Sequence, residues 1–420
     1  MKKIFSIFVA FLLMQNIAIA QEKLNLEQFV NSAVNNSHKL QNAQTDVKMA
    51  EIDIKSAKAA YFPQVNANAN AVLGLKNFLD AIPPLINKDV NSFYLASVSA
   101  MQPVYLGGKI KVSNDLTKMQ KEVNEIIVKQ SKDSIIYNTT VKFWNLAALY
   151  EQMEVININE RLIDSVLKQQ ADLVAAGLIV RNDMTSMQIQ KNKLNLLRTK
   201  LSNGQKLALL DLCMYTGIAY DENLALDYNI DQVQMTEVQA IELSQNTTLS
   251  LLQKNIQAQE LLIKEKQSAL LPNVLVGVNA AYFGTFNNVI DARFMPVVMG
   301  MVTVPISGWW SGDKHKVEKQ KLEVLKAQNK YEEVKDLLET GVYQAKTEVT
   351  NAKEEIAMVQ NNTKLAEDNL NFYKDNYKEG LITVTELLNA QTMLQEMQNE
   401  LIKAKINYII AAYKYENFAK

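Results

Sequence analysis

The chain has 420 residues, a formal net charge of −1 and 21% charged residues, and its mean hydropathy is −0.12. These values exclude a polytopic helical membrane protein and a nucleic-acid-binding protein that relies on a basic face. Glycine and proline are scarce, with 13 and 7 copies, as is typical of long uninterrupted helices. Cys213 is the only cysteine, which excludes an intrachain disulfide and a cysteine-based metal cluster and predicts a small buried helix residue.

The first residues have the pattern of a secretory signal peptide. Lys2 and Lys3 precede an apolar run over 4–14, and Ala18-Ile19-Ala20 provides the small residues of a cleavage site. The apolar run is shorter than the roughly 20 residues that a transmembrane helix needs. We therefore predict that residues 1–20 are removed, that the protein leaves the cytoplasm, and that strands make any membrane crossing.

The first half of the mature chain begins with a helical pattern and continues with a strand pattern. Apolar residues recur every three or four positions over 24–60, which predicts a helix, and Pro63 ends it because proline has no N–H donor. Between Val65 and Ala71, small apolar residues alternate with asparagines, as a strand requires when one face meets lipid and the other meets water. The pattern predicts a β-hairpin over 63–107 with an exposed loop.

Two helices complete this half. Residues 111–175 contain neither proline nor glycine, so we predict one helix on the order of 95 Å long. After a turn at 176–179, a second helix runs to about 215, and Gly204 inside it weakens the helical preference by about 1 kcal/mol relative to alanine. A polar segment over 216–232 separates the two halves.

The second half repeats the first. We predict a helix over 236–270, a β-hairpin with its turn at 284–288, a long helix over 317–377 and, after another glycine turn, a closing helix from 387. Two hairpins supply four strands, which are too few to close a barrel, so we expect an oligomer. Side-by-side packing of the heptad seams predicts a hollow helical cylinder, with the hairpins at one end and the glycine turns at the other.

At these junctions and turns the sequence resembles the TolC family of trimeric outer-membrane efflux ducts. The resemblance covers essentially the whole mature chain and is carried by Phe62-Pro63-Gln64-Val65, Pro103-Val104-Tyr105-Leu106-Gly107-Gly108, Leu271-Pro272-Asn273-Val274, Pro305-Ile306-Ser307-Gly308 and the turn from Gly380 to Gln391. It implies a mainly α fold with a β-barrel portion. Each protomer of a homotrimer would give four transmembrane β-strands to one twelve-stranded barrel and long coiled-coil helices to a periplasmic α-barrel, in two structural repeats.

The resemblance divides the chain into eight segments. They are a signal peptide (1–20), the periplasmic helix of repeat 1 (21–62), its β-hairpin (63–107), its helical hairpin (108–216), an equatorial linker (217–235), the periplasmic helix of repeat 2 (236–271), its β-hairpin (272–308) and its helical hairpin (309–420). The location implied is the outer membrane of a diderm bacterium, with an extension into the periplasm.

The implied function is that of a duct in a tripartite efflux system. It would pass small molecules from an inner-membrane transporter and a periplasmic adaptor protein to the exterior, in contact with outer-membrane lipid and without nucleic acid. The exit channel of a type I protein secretion system is an alternative with the same fold. A secreted structural coiled-coil trimer, whose strands never reach lipid, is a further alternative.

The resemblance also implies three groups of functional residues. The adaptor would dock on the two helical turns, at Gly177, Leu178, Ile179, Gly380, Leu381 and Ile382. The pore aperture would be lined by Glu386 and Asn389, where the asparagine departs from the family's paired acids. A membrane girdle would be formed by Tyr61, Phe62, Tyr105, Tyr282, Trp309 and Trp310. The glycines also fit plain helix–turn–helix connections, and Glu386 also fits a charge at a helix N-terminus.

Signatures of an enzyme do not occur in the sequence. His38 and His315 are the only histidines, and they are remote from each other and lack the spacing of metal ligands. There is also no phosphate-binding loop and no nucleophile elbow. We therefore expect no catalytic residue, no cofactor and no metal site, and we expect a partner to supply the energy for transport.

Overall fold

The computed structural model describes residues 23–74, 92–175, 182–231, 240–286, 290–310 and 312–418. The predicted signal peptide, nearly all of the first hairpin loop, and the turn at 176–179 lie outside the described residues.

The elements follow each other in an order that repeats once. They are β1 (Lys23–Asn25), α1 (Leu26–Asn36), α2 (His38–Ala59), β2 (Gln64–Leu73), β3 (Ser92–Leu106), α3 (Lys109–Ala175), α4 (Asn182–Thr216), β4 (Ala225–Asp227), a 3-10 turn (Leu243–Gln245), α5 (Thr247–Ser268), β5 (Asn273–Thr285), β6 (Arg293–Thr303), a second 3-10 turn (Ile306–Trp309), α6 (Gly312–Lys378) and α7 (Val384–Asn417).

The two long helices, α3 and α6, have 67 residues each. At a rise of 1.5 Å per residue each is about 100 Å long, as their uninterrupted apolar spacing predicts. Helix α4 continues through Gly204, so packing outweighs the local cost of that glycine. No helix within the described ranges is long and apolar enough to cross a membrane.

The predicted single helix over 24–60 is wrong in two respects. Its first residues form strand β1, and Asn25 then caps α1 through a reciprocal capping box with Gln28. The helix stops at Ser37, which has an extended backbone, and the Ser37 Oγ accepts a hydrogen bond from the Leu40 amide at 3.3 Å. Ser37 therefore acts as the N-cap of α2, because its side chain accepts a hydrogen bond from an amide in the first turn of that helix.

The predicted helix over 236–270 begins later, at Thr247. Residues 232–239 lie outside the described part, and a 3-10 turn precedes α5. The polar segment over 216–232, predicted only to separate the two halves, includes a short strand in its described part. It contains β4, which pairs in parallel with β1 and brings Leu24 opposite Leu226.

The β1–β4 pair borders a compact apolar core. Leu24 and Leu226 are buried in it together with Phe29, Phe143 and Leu212. The rings of Phe29 and Phe143 lie 5.8 Å apart, centroid to centroid. Cys213, expected to be a buried helix residue, belongs to the same core. Apolar burial thus fixes two strands that are too short to be stable alone.

The remaining four strands form one antiparallel sheet in the order β2-β3-β5-β6. Each hairpin pairs within itself, and β3 pairs with β5 to join the two hairpins. The prediction of four strands from two hairpins is confirmed. Strands β2 and β6 are the two edges of this sheet.

The chain forms two compact units. Within the described residues, unit 1 comprises 23–41, 129–175, 182–231, 240–246 and 337–418, and unit 2 comprises 42–74, 92–128, 247–286, 290–310 and 312–336. Unit 2 contains the four-stranded sheet, and unit 1 contains the β1–β4 pair and the glycine turn after α6.

Candidate functional site

The turn between α6 and α7 is a glycine-terminated helix end. Gly380 has φ of 72°, its amide donates to the Tyr377 carbonyl at 3.1 Å, and the Leu381 amide donates to the Asn376 carbonyl at 2.9 Å. These two bonds are those of a Schellman motif, which satisfies the last carbonyls of α6. Glycine is needed because a side chain disfavours positive φ.

Leu381 is unusually exposed for its place in this motif. A hydrophobic residue at this position usually packs back on the last helical turn, but the matching residue here is Asn376, and 71% of the Leu381 surface remains accessible. Its neighbour Ile382 packs instead against the apolar core of unit 1. The turn therefore presents one large apolar side chain to solvent.

Glu386 caps the helix that follows this turn. Its carboxylate accepts from the Thr383 amide at 2.7 Å and from the Thr383 hydroxyl at 2.9 Å. The Glu386 amide donates back to the Thr383 hydroxyl oxygen at 3.3 Å, which completes a capping box. The backbone bond, followed by the hydroxyl bond, lowers the pKa of Glu386 from its ordinary value of 4.5. A ring of three such carboxylates would act in the opposite direction.

Glu386 and Asn389 lie three residues apart on one exposed side of α7. The intervening Leu387 and Leu388 are buried, so packing directs the two polar side chains away from the core. This arrangement brings the two predicted aperture residues together on one surface. Gly177, Leu178 and Ile179, predicted for the other turn, lie outside the described residues.

The core beneath the turn contains two polar links between helices. The amide of Gln391 donates to the backbone carbonyl and to the side-chain oxygen of Asn159, at 3.1 and 3.2 Å, and both residues are buried. Gln170 of α3 donates to the hydroxyl of Tyr377 of α6. Sequence reasoning missed both links, although glutamine beside an apolar stripe of helical spacing is a usable signal.

The four-stranded sheet has one predominantly apolar face. Pairing in register places three rows of side chains from all four strands on it, and a fourth row from β2 and β3. The members of this apolar face are Val65, Ala67, Ala69, Ala71, Tyr94, Ala96, Val98, Ala100, Val278, Ala280, Tyr282, Phe294, Pro296 and Val298. A continuous apolar face on one side of the sheet is what contact with lipid requires.

The opposite face, which we call the amide face, carries most of the polar residues of the sheet. They include Gln64, Asn66, Asn68, Asn70, Ser97, Ser99 and Asn279. Uncharged amides and hydroxyls hydrogen bond to water, so this face suits a water-filled space. The alternation of valine or alanine with asparagine in β2 thus separates the two faces as predicted.

The six predicted girdle aromatics are all exposed. Tyr105 of β3 pairs with Val274 of β5, and Tyr282 lies eight residues beyond Val274 in β5. Eight residues span about 27 Å along a strand. At a strand tilt of about 40°, this corresponds to about 20 Å along the membrane normal, which is close to the height of about 25 Å of the apolar band in outer-membrane barrels. Near the second end, the Tyr94 ring lies 6.0 Å from the Tyr282 ring.

The chain matches a known protein family over most of its length. A family model described as outer membrane efflux protein matches residues 29–217 and 239–414. The chain belongs to the outer membrane efflux protein family. Its location in the outer membrane and its general function as an efflux channel follow from this membership, and the resemblance seen in the sequence is confirmed. No curated protein sequence matches the chain.

Solved structures of outer membrane channels share the fold. CusC, described as forming a transmembrane channel, is 14% identical with a TM-score of 0.82, over 94% of this chain and 91% of that one. The open state of the Neisseria gonorrhoeae MtrE outer membrane channel is 13% identical with a TM-score of 0.79, over 94% and 88%. The Campylobacter jejuni CmeC outer membrane channel is 15% identical with a TM-score of 0.78, over 94% and 85%.

Proposed function

We propose that three copies of this chain form the outer-membrane duct of a tripartite efflux system. Each copy gives four strands to a twelve-stranded barrel, and the helices continue the passage into the periplasm. A periplasmic adaptor protein docks on the helical turns, and an inner-membrane transporter drives export. The chain itself acts as a passage and not as an enzyme.

The open sheet edges carry this proposal. Strands β2 and β6 have one unpaired side each in the sheet, beside a face that is predominantly apolar. In hydrocarbon, an unpaired backbone amide or carbonyl costs several kcal/mol, so a sheet that enters lipid must close. Pairing of β6 in one copy with β2 in the next closes the sheet.

Helix α6 supports association of copies as well. Met358, Leu365 and Phe372 follow one another at seven-residue steps and are all exposed in the single chain, by 65%, 58% and 63%. An apolar residue at every seventh position is the seam of a coiled coil. A second copy of the chain would cover this seam.

Leu381 supports docking at the turn. Its exposure at a position that is usually buried leaves an apolar side chain available to a partner. The Schellman bonds hold the turn in one conformation, so docking needs little ordering of the backbone. We infer that Gly380, Leu381 and Ile382 contact the adaptor, together with Gly177, Leu178 and Ile179 of the other turn.

Glu386 and Asn389 support an aperture. Both project from the exposed side of the first turns of α7, and three copies of Glu386 would form a carboxylate ring that favours cations. Glu386→Gln retains a side chain able to form the capping box and removes only the charge. In planar bilayers, channels of Glu386→Gln should lose cation selectivity relative to the wild type, and channels of Asn389→Asp should gain it. Unchanged selectivity in both variants would remove this pair from the aperture.

The duct is tested first by particle size. Membranes from an expressing diderm host are extracted with mild detergent, and the protein mass is measured by light scattering. We expect three chains per particle, and negative-stain images with a detergent belt at one end. Extraction into detergent-free buffer as a monomer or dimer would contradict the barrel and favour a soluble coiled-coil protein.

Efflux and protein secretion are separated by partners and cargo. In a host lacking its own efflux ducts, expression with a cognate adaptor and transporter should raise resistance to exported small molecules. Leu381→Asp should abolish adaptor binding while the particle mass is unchanged, and Leu381→Met should retain binding. Restored secretion of a protein substrate without any change in small-molecule resistance would favour the type I secretion alternative.

A further inference from the structure

Strand β6 departs from the chemistry of the amide face. Where β2 and β3 carry asparagine and serine, the same face of β6 carries Met295, Val297, Met299 and Met301. Strand β6 is therefore apolar on both faces over this stretch, although lipid contact requires only one apolar face. Met295, Met299 and Met301 therefore lie within seven residues of each other on the amide face, and membrane insertion does not explain them.

Met101 and Met299 lie on either side of a glycine. In the register of the sheet, Met101 pairs with Gly277 and Gly277 pairs with Met299, so the three residues form one row. The Sδ of Met101 occupies the space where a Cβ of Gly277 would stand, and its Cε lies 3.3 Å from that point. Gly277 is buried for this reason. The missing side chain thus makes a notch that holds one thioether.

Met299 lies opposite the same notch, and Met301 lies next to it on the same face. Paired residues on neighbouring strands have Cα atoms about 5 Å apart, and the unbranched side chain of Met299 has three rotatable bonds with which to place its sulfur over Gly277. Met301 lies two residues farther on the same face, about 7 Å along the strand. The surfaces of Met299 and Met301 are accessible by 39% and 47%, so a solute on the amide face can contact both.

The surroundings favour a soft monovalent cation. Thioether sulfur is a soft and neutral ligand that suits Cu(I) and does not have to lose a proton before it binds. Arg293 is the only charged residue of β2, β3, β5 and β6, and it lies six residues before Met299, about 20 Å along the strand. A hard divalent cation would find no carboxylate in this part of the sheet.

We propose that Met101, Met299 and Met301 form a binding site for a soft monovalent metal ion of the Cu(I) or Ag(I) class. The site lies on the amide face, over Gly277, and its three sulfurs come from one chain. It goes beyond the proposed duct, because binding at this site requires neither barrel closure nor a partner protein. A soft metal ion passing along the amide face would bind there reversibly.

Silver binding tests the site directly. The detergent-solubilised full chain is titrated with silver nitrate in a chloride-free buffer by isothermal titration calorimetry. We expect one tight Ag(I) per chain and at least a tenfold weaker affinity in Met101→Leu/Met299→Leu, because leucine conserves volume but removes the sulfur. Met214→Leu is the matched control, since it removes an exposed methionine of α4 and should leave the affinity unchanged.

Gly277→Ala tests the geometry of the site without changing the number of sulfur atoms. The added methyl group takes the space of the Met101 sulfur, so silver affinity should fall at least tenfold with every methionine retained. Equal affinity of the wild type and the double leucine variant would overturn the site, as would the absence of stoichiometric binding. Silver binding by a chain that neither trimerises nor exports would leave the site standing and would refute the duct.

Discussion

Two glycines in helical hairpins should respond in opposite directions to the same substitution. A Cβ at Gly380 and a Cβ at Gly204 would each meet no atom within 4 Å, so neither substitution is limited by space. Gly380 has φ of 72°, where an alanine costs about 1–2 kcal/mol. Gly204 lies inside α4, where an alanine gains about 1 kcal/mol. The difference between the two sites comes from backbone conformation alone.

Hydrogen exchange measures both effects locally. The amide of Leu381 is protected by its bond to the Asn376 carbonyl, so a loss of about 1 kcal/mol in Gly380→Ala should speed its exchange about fivefold or more. Gly380→Asn should show a smaller loss, because asparagine adopts the left-handed conformation more readily. Gly204→Ala should slow exchange in the surrounding turns of α4 about fivefold.

The reasoning would be refuted by the wrong order of variants. If Gly380→Ala exchanges like the wild type at Leu381, the Schellman bonds do not depend on the glycine. If Gly380→Asn is less protected than Gly380→Ala, the left-handed conformation is not what the substitution perturbs. A common shift across the whole chain in either variant would indicate a global change of stability and not a local one.

Three further perturbations test other parts of the structure. Gln391→Leu should destabilise unit 1 by about 1–3 kcal/mol, since it leaves the side-chain oxygen of Asn159 buried without its donor, and Gln391→Leu/Asn159→Leu should recover part of that loss in thermal unfolding. Because the pKa of Glu386 is lowered in the folded state, its cap stabilises the turn above pH 4.5 and is lost as the pH falls through the lowered pKa. The exchange rate of the Leu381 amide in the wild type, divided by its rate in Glu386→Gln, should therefore rise only at acidic pH. A ratio that does not change with pH would contradict the role of Glu386 as a cap. Phe143→Ala should cost about 3–5 kcal/mol, because the ring is fully buried, and a loss below 1 kcal/mol would show that this core is not tightly packed.

Periodicity made the large elements predictable from the sequence. Helices α3 and α6 and the four strands of the sheet follow long apolar repeats, and each repeat samples enough residues to outweigh local exceptions. The two faces of the sheet were also predictable, because apolar and polar residues such as Val65 and Asn66 alternate along β2.

Short or non-local features were not predictable in the same way. The three-residue strands β1 and β4 pair across about 200 residues, and no local pattern indicates such a partner. Ser37 ends a helix within an apolar repeat that continues past it. The burial of Gln391 depends on Asn159 of another helix, and the notch at Gly277 depends on a register between strands that are distant in sequence.

The parallel pairing of β1 with β4 has a consequence for the order of folding. Joining Leu24 to Leu226 closes a loop of about 200 residues, which costs about 5 kcal/mol in chain entropy. Three residue pairs cannot offset that cost, so β1 and β4 meet only after Phe29, Phe143 and Leu212 have brought the intervening helices together. During synthesis the residues of β1 would thus wait for the middle of the chain to arrive. Strand β1 would be among the last parts of the fold to become ordered.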